Sequence, residues 1–165
     1  MPKIKIFLWQ LCHNSLPSRS TLLRRGIQLD PLCPACSNDL EDSNHTFLHC
    51  PMAHKVWDMA VAYPWLPNLS FTQLVSSLCE ELHSLANNRY PRLSRVVLLL
   101  WSIWKSSNAL VFRNEISSPM GTLLRAKCSW AEWKLRTSPS FYPSTIPSYS
   151  PYHTHPHPKS TQFIG

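Results

Sequence analysis

Glycine is scarce in this chain, three among 165 residues, and no stretch alternates apolar and polar side chains over the length of a strand. Together these absences argue against a sheet and leave helical periodicity as the organising pattern. Charge is thin as well, at 15% of residues. No apolar run suits a membrane. The most apolar segment, Val96 to Trp104, is closed off by Arg95 and Lys105, far short of the ~20 residues a span needs. At the N-terminus "MPKIKIFLWQLCHN" places two Lys before an interrupted apolar stretch, and no A-x-A-like cleavage site follows. The expectation is an intracellular protein, not secreted, in nucleus or cytoplasm, with reduced thiols.

Apolar residues and tryptophan are plentiful. Hydrophobic residues make up 44% of the chain and seven are Trp, enough for a real core in about one domain with room for a tail. Basic groups outnumber acidic ones to a net charge of +7. That surplus favours polyanions such as RNA or DNA as partners, with an ordinary basic surface as the competing reading.

Read along the chain, Ile4, Phe7, Leu8 and Leu11 share one face of a first helix, ended by Pro17. A short helix from about Ser18 carries Leu22 and Leu23 and stops at Gly26. A third carries Val56, Trp57 and Ala60. Ser70 and Gln73 form a capping box for a fourth, with Leu69 and Leu74 placed as a hydrophobic staple. Its stripe is Leu74, Leu78, Leu82 and Leu85. Pro91 opens a long helix to about Phe112, with Val96, Leu100, Ile103, Ser107 and Leu110 at core spacing. Its middle is apolar almost all round, which predicts a buried central helix. A last helix begins near Ser118-Pro119 with the stripe Leu124, Cys128, Ala131 and Leu135. Beyond Arg136, Pro139, Pro143, Pro147 and Pro151 recur every four residues, a density that predicts a disordered, partly polyproline-II tail. The expected fold is all-α, a small irregular helical domain with a cysteine- and histidine-rich loop. Its divisions are a helical region 1–62 that carries this loop, a helical extension 63–136 packed on it, and a tail 137–165.

Chemistry concentrates in "CPACSNDLEDSNHTFLHC", Cys33 to Cys50. Cys33 and Cys36 form a C-x2-C pair, whose thiolates can converge on one tetrahedral ion from a tight turn. A disulfide there would suit a redox enzyme built at a strand-to-helix junction, and no strand is visible. In a reducing compartment metal binding is the expected use. The partner pair stays open on spacing alone. His45 and His49 lie about 40° apart on a regular helix and share a face, whereas His45 and Cys50 lie about 140° apart. Against this, Pro51 pushes Cys50 out of the α region, so the turn must loosen where Cys50 could swing toward the metal. Cys50 could also be a plain core thiol.

The segment "FLWQLCHNSLPSRSTLLRRGIQLDPLCPACSNDLEDSNHTFLHCPMAHKVW", Phe7 to Trp57, resembles the zinc-binding domain that follows the reverse transcriptase in plant non-LTR retrotransposon polyproteins. That family shows an F-L-W opening, then L-P-T, C-P-x-C-G, E-T-x-x-H, an aromatic-aliphatic run, Cys-Pro and a Trp. Downstream, "LLLWSIWKSSNALVFRNE" is similar to the family's W-x-I-W-K-x-R-N-x-x-V-F helix. The resemblance implies one structural Zn2+ on Cys33, Cys36, His45 and Cys50, with His49 beside the site or on the surface as the alternative ligand. Its H-x4-C half is similar to a retroviral zinc knuckle. Three thiolates and Zn2+ leave a net charge of about −1, so basic or N–H groups should stand nearby. Leu32, Phe47 and Trp57 are expected to pack around the site. Ser37 stands where the family has Gly, Asp42 where it has Thr, and Ser107 where it has Arg. A left-handed Ser37 would cost about 1 kcal/mol, and Asp42 can still cap the helix holding His45. Glu41, Asp42 and Asp39 are expected to form a solvated loop and cap.

No enzyme is expected. Polymerase chemistry needs paired aspartates for two metal ions, and no Asp-Asp pair occurs. RNase H would need downstream carboxylates, and none follows Glu132. Four protein ligands would also leave no position for a reactive water. The expected role is contact with RNA or DNA, with no membrane and no small-molecule substrate. Lys3, Lys5, Arg19, Arg24 and Arg25 are the candidates for phosphates, although cations at the end of a helix such as Arg24 and Arg25 are favoured there anyway. Phe7 and Trp9 are of the type that stacks on bases, but core packing is the expected role of both. The alternatives are a structural or protein-interaction spacer, or a relic of a retroelement without selected function.

Overall fold

The computed structural model describes residues 2–60, 70–83 and 90–137. All regular structure among them is helical: α1 (Pro2–Cys12), α2 (Arg19–Arg24), a π-helical turn (His45–His49), α3 (Pro51–Ala60), α4 (Phe71–His83), α5 (Tyr90–Arg113) and α6 (Pro119–Thr137). The all-α expectation holds. The only β-type pairing among the described residues is one antiparallel bridge, Leu32 to Leu40.

The local rules read from sequence operate at the helix ends. Ser18 caps α2 by accepting from the Thr21 N–H, and Gly26 ends it with φ +83, a conformation that costs glycine nothing. At α4, the Ser70 N–H donates to Gln73 Oε1 at 2.7 Å and the Gln73 N–H donates to Ser70 Oγ at 3.3 Å, the reciprocal pairs of a capping box. Asn44 adds an acceptor from outside, taking the Phe71 N–H on Oδ1 at 2.9 Å. Leu69 and Leu85 lie outside the described residues, as does the tail from 138 onward. Thr137, expected in that tail, is instead the last residue of α6.

The core is built on α5, whose Val96, Val97, Leu98, Leu99, Leu100, Ile103 and Trp104 are all buried. A helix apolar round its circumference needs neighbours on several sides. Here α6 lies along it, α3 packs on α6, and the π turn and α1 press on other sides of α5. Phe7, Leu11, Leu74 and Leu78 join the same core, with Ile4 and Leu8 half-buried against it. No helix of the described residues is long and apolar enough to cross a membrane.

One stripe departs from expectation. On α6, Leu124, Cys128, Ala131 and Leu135 face solvent, and Thr122, Leu123 and Ala126 are buried instead. Both faces carry apolar side chains, so periodicity does not choose between them. The choice follows from where α3 and α5 sit, and from Trp130, whose ring lies 4.3 Å beneath the Arg95 guanidinium of α5.

Candidate metal centre

The segment between α2 and α3 is held by backbone pairing at its neck. The Cys33 N–H donates to Asp39 O at 2.8 Å and the Glu41 N–H to Pro31 O at 2.9 Å. Inside this neck the chain reverses over Cys33–Ser37, closed by the Ser37 N–H on Cys33 O at 2.8 Å. Ser37 is left-handed, φ 57, at the position where the related pattern has glycine. Both sulfurs of the C-x2-C pair therefore emerge from one tight turn.

The other half comes from the π turn. Asp42 Oδ1 accepts the His45 N–H at 2.7 Å, the capping role expected of it. The helical ladder then changes register, and the Cys50 N–H donates to His45 O at 2.7 Å, an i to i+5 bond. A π turn is wider than an α turn and brings residues five apart over one another, so Cys50 takes the place beside His45 that His49 would hold on a regular helix. Cys50 itself is extended, φ −61 and ψ 130, as its position before Pro51 requires. Pro51 is the first residue of α3, where a missing N–H costs nothing. His49 points outward and is exposed, while His45 and Cys50 are buried.

These two halves bring Cys33 Sγ, Cys36 Sγ, a His45 ring nitrogen and Cys50 Sγ within 4.8 Å of one another. Cys33 Sγ lies 3.9 Å from Cys50 Sγ, and Cys36 Sγ lies 3.3 Å from His45 Nε2. Zinc bonds of ~2.3 Å to sulfur and ~2.0 Å to nitrogen in a tetrahedron set donor separations of roughly 3.5 to 3.8 Å. The donor set and spacing fit one structural Zn2+. Behind His45, Asp39 Oδ2 lies 3.7 Å from Nδ1, where a carboxylate favours the proton on that nitrogen and leaves Nε2 free as a ligand.

The expected compensation of negative charge is supplied by backbone amides. Cys33 Sγ receives the N–H groups of Ala35 and Cys36, and Cys50 Sγ those of Met52 and Ala53 in the first turn of α3. A thiolate at a helix N-terminus is favoured by those free donors. Cys33 Sγ and Cys50 Sγ are also within sulfur hydrogen-bond distance of each other. Hydrogen bonding to Cys50, then burial, pushes the Cys33 thiol well up, and the bond from Cys33 holds Cys50 below its ordinary range. Thiols that bind a metal ion give up their protons to do so.

Phe47 and Trp57 pack beside the site as expected, both buried. The Trp57 indole Nε1–H donates to Phe47 O at 2.7 Å, giving the π turn one of its released carbonyl partners. Leu32 is 38% exposed and makes the backbone bridge to Leu40. A cavity of about 180 Å3 adjoins the cluster between Cys33, Thr46, Cys50, Ile103 and Thr122.

The carboxylates divide in a way the sequence did not show. Asp39 and Asp42 are exposed, as a solvated loop implies, but Glu41 is buried. Glu41 Oε1 accepts from Ser107 Oγ at 2.8 Å, and Oε2 accepts from the Arg19 N–H at 3.4 Å with Arg19 Nε 3.6 Å away. A buried charge persists only when paired and hydrogen-bonded, and this one ties α2, the cysteine loop and α5 together. Arg19 also donates to Asp30 O at 3.0 Å, so this nucleic-acid candidate is engaged within the fold. Glu41→Gln is expected to cost about 1–3 kcal/mol, because a neutral amide pairs poorly with Arg19; urea unfolding of the zinc-loaded protein measures it.

The remaining candidates are spread over two exposed surfaces. Lys3 and Lys5 lie on α1, and Arg24 and Arg25 lie at the end of α2. Phe7 is buried as expected, but Trp9 is 60% exposed on the outer side of α1, its ring 4.6 Å from that of His13. Residues two apart lie about 200° round a helix, so Trp9 falls outside the Ile4, Phe7, Leu8 and Leu11 stripe, and the core role expected of it does not hold.

Comparison with curated proteins and with solved structures gave no match. Residues 1–57 match the family model for zinc-binding in reverse transcriptase, and Cys33, Cys36, His45 and Cys50 all fall inside that match. The part of the chain that carries the cluster, residues 1–57, is thus similar to the zinc-binding domain of reverse transcriptases.

Proposed function

We propose that Cys33, Cys36, His45 and Cys50 are the four zinc ligands, that the ion ties the helices together without catalysis, and that the module contacts RNA or DNA. Non-catalysis follows from the donor count: four protein ligands fill a tetrahedral zinc shell and leave no position for a reactive water. The nucleic-acid reading is supported above all by Trp9. A tryptophan 60% exposed, on a helix that also presents Lys3 and Lys5 to solvent, combines a stacking platform with phosphate-binding charge. Arg24 and Arg25 extend the basic candidates to the end of α2, and Arg19 drops out because its guanidinium serves Glu41 and Asp30.

Fluorescence anisotropy with a generic single-stranded RNA tests this. Affinity should fall as salt rises, and Trp9→Ala should weaken binding by about 1–3 kcal/mol. Lys3→Ala and Lys5→Ala should each reduce the salt slope by about 1. Absence of binding at low salt, or affinity indifferent to salt, removes this reading.

A second reading, a protein-interaction module, is favoured by a different observation. Phe112, Ile116, Met120 and Leu124 form an exposed apolar succession around the α5–α6 turn, with Phe112 78% and Ile116 85% exposed. Large apolar side chains exposed close together in sequence are the material of an interaction site. An Ile116→Lys variant that loses a co-purifying protein partner, in a chain that ignores RNA, would favour it.

A further inference from the structure

Cys12 and Cys79 lie apart from the zinc cluster and take no part in it. Cys12 is the last residue of α1, directly after the fully buried Leu11, and Cys79 follows the buried Leu78 on α4. Both sulfurs sit half-buried at the rim of the core, 3.9 Å from each other. The chain brings them together across 67 positions, so the contact belongs to the α1–α4 packing and not to a local turn.

We propose that Cys12 and Cys79 are a thiol-oxidation site, closed to a disulfide by a small disulfide such as oxidised glutathione, which cross-links α1 to α4. The Cys79 thiolate attacks one glutathione sulfur, the glutathione S–S bond breaks, and a glutathione thiolate leaves. The Cys12 thiolate then attacks the Cys79 sulfur and expels the second glutathione. In balance, two protein thiols and one oxidised glutathione give one protein disulfide and two reduced glutathiones. Closure brings the sulfurs from 3.9 Å to ~2.0 Å.

The order of attack follows from the surroundings of Cys12. Burial first, and Cys79 second, push its thiol up to about 11, so Cys12 is a poor first nucleophile. Capping Cys79 as a mixed disulfide removes the charge and hydrogen bond that Cys79 contributes, and Cys12 becomes more acidic as its target appears. Cys128, exposed on α6, has no such neighbour among the described residues and serves as an internal control.

The test uses the zinc-loaded full chain, exposed to oxidised glutathione, quenched with an alkylating reagent and mapped by peptide mass spectrometry, with zinc measured in the same sample. The expected product joins the Cys12 and Cys79 peptides, unfolds at a higher temperature, and keeps its zinc, while Cys128 retains a glutathione. Cys12→Ser should stop at the glutathione adduct on Cys79. The proposal is overturned if Cys128 reacts while Cys12 and Cys79 remain alkylatable. Stable glutathione adducts on both, or a cross-link that recruits Cys33, Cys36 or Cys50, overturn it equally. Zinc content and RNA affinity report separately on the proposed function.

Discussion

Cys50→Ser is expected to abolish zinc binding, and His49→Ala to leave it intact. The protein purified without a histidine tag should carry about one ion per chain, since four ligands of this kind make a closed structural site. Cys50 Sγ is buried 3.9 Å from Cys33 Sγ and receives two amides from the start of α3; serine offers that position a hydroxyl that is a poor ligand at neutral pH. Structural zinc sites contribute apparent binding energies of about 10–16 kcal/mol in small domains, which approaches or exceeds the ~5–15 kcal/mol total stability of a typical fold. The variant should therefore lose helical circular dichroism as well as metal, and a chelator should do the same to the unmutated chain. His49 is exposed one residue away, so its removal should change neither quantity. Zinc lost with His49→Ala and kept with Cys50→Ser would replace this assignment with a two-His site.

Phe47→Ala should be the most damaging change that leaves all four donors in place. Phe47 is fully buried and its ring meets Phe7, Phe71 and Trp104 at centroid distances of 6.2, 6.1 and 6.3 Å. Those three rings belong to α1, α4 and α5, so one side chain of the π turn joins the metal-binding loop to three helices. Truncating a buried Phe to Ala costs about 3–5 kcal/mol through lost burial and the cavity left behind. Urea unfolding of the zinc-loaded protein should show that loss, and Phe47→Leu a smaller one, because leucine refills part of the volume. A loss under about 1 kcal/mol would mean that the site can collapse onto the gap, and that the four aromatic rings do not form the rigid junction described here.

Local chemistry was legible where one or two side chains settle it. The Ser70–Gln73 box, the Gly26 stop and the Asp42 cap all occur where sequence places them, because the box and the Asp42 cap depend on a side chain within three residues of the backbone group it satisfies, and the stop on glycine's own backbone freedom. Burial of amphipathic helices was legible only while one face was clearly more apolar. That condition fails on α6, where Leu124, Cys128, Ala131 and Leu135 have the right spacing and face water. On α1 the stripe Ile4, Phe7, Leu8 and Leu11 is the inward side, and Trp9, outside that stripe, faces water. Glu41 was illegible for a further reason: its partners Arg19 and Ser107 lie 22 and 66 positions away, and no local pattern records such a meeting.

For the metal centre, the sequence by itself determined the ligand types, the C-x2-C turn, and the strain that Pro51 imposes on Cys50. It left Cys50 and His49 in competition, since a regular helix favours the histidine. Only the tertiary structure decided where each side chain points. The ladder widens to an i to i+5 bond between His45 and Cys50, which an isolated segment would not hold. It persists because Phe47 is locked among three helices and Trp57 takes up the Phe47 carbonyl at 2.7 Å. Ligand chemistry is written in residue types, but which of two neighbouring residues faces the ion depends on packing that the neighbours alone do not contain.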